Sequence, residues 1–80
     1  MEDFHIETIQ IDGRDPYLKI YFEDVVDKDF IHTWLNSLGY LKKVNVNEDD
    51  NLKVSAIIYL FPDSNVQEVR EKLAVDLERI

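Results

Sequence analysis

Carboxylates are the most numerous chemically active groups in this chain, and they cluster. Glu48, Asp49 and Asp50 are consecutive, and Glu23, Asp24 and Asp27 form a second group. Oxygen-rich clusters of this kind suit docking against a basic protein surface, holding a hard divalent cation, or acid and base catalysis. The acid spacing of a calcium loop is absent, and nothing in the sequence singles out one pair among the 17 acids as general acid and base. Docking to a protein with a basic surface is therefore the role expected of Glu23, Asp24, Asp27, Glu48, Asp49 and Asp50. No metal is expected there.

A second candidate surface is aromatic. Tyr17 and Tyr21 share one parity of a short alternating segment, and Ile57, Tyr59 and Phe61 share one parity of another. If both segments are neighbouring strands, these five side chains stand on one sheet face with Lys19 and Lys53 among them. Such a face resembles the base-stacking surface of RNA-recognition domains, but no glycine-rich basic motif surrounds Tyr59. Cross-strand pairing that steadies the sheet, or a contact surface for a protein or a second copy, is the expectation.

The remaining candidates carry little chemistry. His5 and His32 are isolated, Gly13 and Gly39 are too far apart to cradle a phosphate, and there is no cysteine. With no triad, cofactor motif or ligand set, the chain is not expected to be an enzyme, and no cofactor is expected.

Eighty residues make one domain, 1–80, with a small core. A formal charge of −8 argues against nucleic acid and anionic membranes, both of which require clustered Lys and Arg. The first ten residues lack a basic, then apolar, signal sequence, and no run reaches membrane-spanning length. A cytoplasmic protein is expected. Met1 and the compact ending at Ile80 suit a nearly complete unit.

The elements that must position these residues follow from periodicity. Leu52 to Phe61 is apolar at both parities and reads as a central strand. Phe4 to Ile11 is a strand whose alternation slips near Glu7 and Thr8, which predicts a β-bulge on an edge. Asp12 to Pro16 is a turn, and Tyr17 to Phe22 alternates as a second strand. Asp27 is placed to cap a helix carrying Phe30, Ile31, Trp34, Leu35 and Leu38, with Gly39 ending it. Leu41 to Asn47 resumes alternation, with Lys42 on the inward phase as an edge guard. Ser64 and Gln67 form a capping box for a last helix bearing Val66, Val69, Leu73, Leu77 and Ile80.

The order ββαββα, with two hairpins and a right-handed helical crossover, predicts an α+β two-layer sandwich. Its four-stranded antiparallel sheet is expected in order 1-2-4-3 with both helices on one face, the pairing between the hairpins leaving 2-1-4-3 or a plain meander as competing orders. This topology resembles a circularly permuted ferredoxin-like domain, a likeness of strand order without a family motif. It gathers Glu2, Asp3, Glu23, Asp24, Asp27, Asp29, Glu48, Asp49 and Asp50 at one end, with Lys28 and Arg79 as counter-charges. The function expected is a small acidic protein-binding module acting by occupancy: an inhibitor, an immunity or antitoxin-type protein, or a regulatory adaptor. The alternative is a dimeric small-molecule-sensing domain whose sheet faces or edges meet, with ligands bound at the seam.

Overall fold

The computed structural model describes residues 3–80. β1 (Phe4–Ile9), β2 (Tyr17–Phe22), α1 (Lys28–Asn36), β3 (Lys43–Glu48), β4 (Val54–Tyr59) and α2 (Val66–Glu78) follow one another in the expected ββαββα order. The strands form one sheet, β1-β2-β4-β3, antiparallel throughout. The fold is the α+β two-layer sandwich that the alternation and the helical stripes dictate.

One set of alternating residues builds the core. Ile6, Leu18, Ile20, Phe22, Val44, Val46, Val54, Ala56 and Ile58 point to the helices, where Ile31 and Leu35 of α1 and Val69, Leu73 and Leu77 of α2 meet them in a single cluster. Every buried side chain in that cluster is apolar, and no buried side-chain polar atom lacks a partner among the described residues. At about 1.5–3 kcal/mol per fully buried aliphatic side chain, this layer supplies the dominant favourable term.

Several local expectations are corrected. β1 has no bulge: its register against β2 runs without a break from Phe4↔Phe22 to Ile9↔Tyr17. The slip arises because Thr8 takes the inward phase, where the Arg70 guanidinium bonds its hydroxyl at 3.1 Å, and Ile9 joins the open face. Asp27 does cap α1, its carboxylate accepting from Phe30 N–H at 3.0 Å. Phe30 itself is 53% exposed and lies off the buried stripe. Ser37, not Gly39, closes α1. For α2 the cap is Asn65, one residue later than the expected Ser64, and it accepts from Glu68 N–H. Ser64 instead closes a turn on the Phe61 carbonyl, while Gln67 bonds Glu71. Lys42 is exposed just before β3, which begins at Lys43.

The helices are tied to the sheet at two further points. Arg70 of α2 reaches β1, donating to the Ile6 carbonyl at 2.7 Å as well as to Thr8. Tyr40, at the entry to β3, donates its hydroxyl to Asp76 of α2 at 2.6 Å, with the Lys72 ammonium 4.4 Å from its ring centre. Burial, then that hydrogen bond and the charge of Asp76, hold the Tyr40 hydroxyl well above the ordinary tyrosine range.

Candidate functional site

The strand order brings one end of every strand pair to a common pole. β1 begins there, β2 ends there, α1 starts there, and the β3–β4 turn closes there. Asp3 stands beside Glu23, whose N–H bonds the Asp3 carbonyl at 3.0 Å. Glu23, Asp24, Asp27, Glu48, Asp49 and Asp50 are all exposed at this pole, so the sequence-derived cluster forms. Glu2 lies outside the described residues. Among the described residues no three His or acidic side chains converge to hold a metal ion, so the carboxylates are arrayed rather than caged.

Two of these acids are already engaged by the backbone. Asp27 caps α1, and one Asp49 oxygen accepts from Asn51 N–H at 2.8 Å and Lys53 N–H at 2.9 Å. The Lys53 ammonium reaches across to the Glu23 carbonyl, adding a cation to the pole besides the expected Lys28 and Arg79. Glu23, Asp24, Glu48 and Asp50 are left as the acids of the cluster without such a backbone cap.

Sequence reasoning missed the apolar component of this pole. Val25 is 71% exposed, Leu52 56% and Phe30 53%, a higher exposure than any other large apolar side chain among the described residues. Val25 lies in the β2–α1 connection, Phe30 in the first turn of α1 and Leu52 in the β3–β4 turn, so all three belong to the acidic end. Leu52 also has φ 64, the left-handed region that costs a residue bearing a Cβ about 1–2 kcal/mol. The geometry explains the angle: Leu52 N–H bonds the Asp49 carbonyl while Asp49 N–H bonds the Lys53 carbonyl, a three-residue hairpin loop whose last position favours glycine. Val25, one of the two valines in the run Glu23-Asp24-Val25-Val26-Asp27, was readable as an apolar residue outside any periodic element. Leu52 was hidden because it was counted into the strand.

The open face of the sheet is built of cross-strand rows. Ile9, Tyr17, Tyr59 and Lys43 form the row farthest from the acidic pole, Glu7, Lys19, Ile57 and Asn45 the next, and His5, Tyr21, Ser55 and Asn47 the third. Tyr17 and Tyr59 pair with ring centres 5.7 Å apart. Tyr21 stacks on His5 at 6.1 Å, with Lys19 Nζ 4.8 Å from its ring centre. A rise of four residue steps, about 13 Å, separates Tyr17 from Tyr21, so the aromatics make two groups with the Lys19 and Ile57 row between them. Phe61 lies just past β4, 42% exposed, and adjoins a small recess with Pro16 and Val66.

Between the two surfaces runs a shallow groove of about 580 Å³, lined by Lys19, Tyr21, Glu23, Asp49, Lys53 and Ser55 among others. It carries both signs of charge and one aromatic wall. Comparison with protein-family models, with curated proteins and with solved structures gave no match, so the geometry alone supports the functional reading.

Proposed function

We propose that this chain is a protein-binding module that acts by occupancy, docking its acidic pole on a partner with a basic surface. The observation that carries the reading is the coincidence of Val25, Phe30 and Leu52 with the acids of the same end. Acids alone are accounted for by turns and helix starts. Three apolar side chains held out in water are not, because their burial elsewhere would favour the fold, and in Leu52 the backbone is strained as well. Apolar anchors ringed by one sign of charge are the arrangement in which a partner's pockets supply affinity and its cations supply steering and register. An inhibitor, an immunity or antitoxin-type protein and a regulatory adaptor all work in this way.

The test is co-purification from the native host with tagged protein, comparing native chain with Val25→Ser/Phe30→Ser and with Glu23→Gln/Asp24→Asn/Asp50→Asn. A basic protein retained by the native chain, lost from the first variant and held less tightly in a salt-dependent way by the second, is expected. Equal retention by all three would overturn the reading. Asp27 and Asp49 are left intact because they hold the cap and the turn.

The mixed groove beside Lys19, Tyr21 and Lys53 favours a second reading, a domain that senses a small ligand on its open face. Ligand-induced changes in the amide resonances of Tyr21 and Ser55, with those of Val25 and Leu52 unmoved, would separate it from the first.

A further inference from the structure

The two edges of the sheet are finished differently, and the difference concerns which backbone groups point outward. Along β3, Asp49 N–H bonds the Lys53 carbonyl, so the residues of odd number turn their N–H and C=O groups to β4. Val44, Val46 and Glu48 therefore turn theirs away from the sheet. A groove of about 470 Å³ follows this edge, lined by the four consecutive residues Val44, Asn45, Val46 and Asn47 with Lys28, Asp29 and His32 of α1 alongside. Consecutive strand residues face opposite sides, so a groove touching all four runs along the edge itself.

The sequence of this strand is complementary to itself when reversed. It begins with Lys42 and Lys43, carries Asn45 and Asn47 in the middle, and ends with Glu48, Asp49 and Asp50. We infer that β3 pairs antiparallel with β3 of a second copy about a two-fold axis through Val46, giving an eight-stranded sheet across two protomers. In that register Val44 and Val46 exchange their outward hydrogen bonds with the partner's Glu48 and the partner's Val46. Lys43 then stands opposite the partner's Asp49, and Asn45 opposite the partner's Asn47. Both are non-hydrogen-bonded pairs, in which side chains come closest, with Cα atoms about 4.5 Å apart.

Only the matching of charge picks this register from its neighbours. A shift by two residues keeps the inward and outward phases but sets Lys43 against the partner's Asn47 and leaves Asp49 opposite the partner's Leu41. The chosen register uses the second oxygen of Asp49, the first being held by the turn. Two molecules of charge −8 repel each other at long range, so the pairing depends on screening over a Debye length of about 8 Å at physiological salt. The interface shares Glu48, Asp49 and Asp50 with the proposed docking pole, but it is read on the pure protein, so the two proposals fail separately. The axis sends the two acidic poles to opposite ends of the dimer.

The first measurement is mass by light scattering and amide exchange, on purified native chain from about 10 µM to about 1 mM at physiological salt, the range in which small edge interfaces assemble. Mass rising toward twice 9.5 kDa, with the amides of Val44, Val46 and Glu48 gaining protection as it rises, is expected. Monomer mass throughout overturns the inference.

The second uses two edge variants, Lys42→Glu and Asp50→Lys, at positions that the register sets opposite each other. Each alone sets like charges against each other at both ends of the paired strands and stays monomeric. Mixed, they are complementary at every end and form a one-to-one heterodimer, which also proves that both fold. Self-association by each variant as strong as that of the native chain, or no heterodimer, would sink the β3 register.

Discussion

β1 and β3 are edge strands of equal length, yet one is tethered at its middle and the other only at its ends. Arg70 crosses from α2 to bond the Ile6 carbonyl, which by register is one of the outward-pointing groups of β1. The corresponding groups of β3 on Val44 and Val46 face a groove. Tyr40 holds the entry to β3 and the Asp49 turn holds its exit. An edge is a row of unsatisfied donors and acceptors, and a chain either covers that row or leaves it for a visitor. This molecule does one on each side.

Deleting an inward anchor has the largest effect on either edge. Ile6→Ala is expected to cost about 2–4 kcal/mol, a large share of the roughly 4–12 kcal/mol available to a domain of this size. Val46→Ala, the equivalent position at the other edge, removes less volume and costs about 1–2.5 kcal/mol. Urea unfolding of both reads the difference, and equal losses would mean that the two edges are not packed alike beneath the helices.

Removing the tether is the next effect. Arg70→Leu is expected to lower stability by about 1–2 kcal/mol and to speed exchange of the His5, Glu7 and Ile9 amides, with the Asn45 and Asn47 amides unchanged. Uniform acceleration at both edges would show that Arg70 acts on the whole fold and not on β1.

Tyr40→Phe tests the end tether of β3 and costs about 1 kcal/mol at neutral pH. The hydroxyl is held protonated in the folded chain by burial and by Asp76, so its contribution is complete below pH 10.0, the ordinary tyrosine value, and is lost as pH rises above it. Native stability should therefore fall more steeply than that of Tyr40→Phe in alkaline titration, and parallel curves would remove Tyr40 from the account.

The smallest effect has the opposite sign. Leu52→Asn relieves the left-handed strain and is expected to add about 0.5–1 kcal/mol, while weakening any partner that reads the acidic pole. Added stability with binding unchanged would assign the strained leucine no part in docking.

Strand number and the inward residues were legible from alternation, because burial on one face forces a period of two whatever the sequence, while the order was only favoured by two hairpins and a right-handed crossover. The pole of acids was legible too, since it follows from order alone. What escaped were one-residue matters decided by tertiary contacts. Thr8 takes the inward phase yet stays exposed, meeting a guanidinium from α2, Asn65 outcompetes Ser64 as a cap, and Phe30 turns outward despite its helical spacing. Leu52 belonged by composition to the strand and by hydrogen bonding to the turn. The edge register of β3 lay in the sequence all along, but its meaning depended on knowing which strand was at the rim.

The reach of Arg70 also bears on how the chain is finished during synthesis. Its contacts span 62 and 64 residues, to the Thr8 hydroxyl and the Ile6 carbonyl. On the ribosome the two hairpins emerge before α2, so for that interval the nascent sheet displays two bare rims where the mature one displays one. A chaperone that shields strands, or an unwanted neighbour on the same polysome, would meet β1 in a form that the completed protein no longer offers.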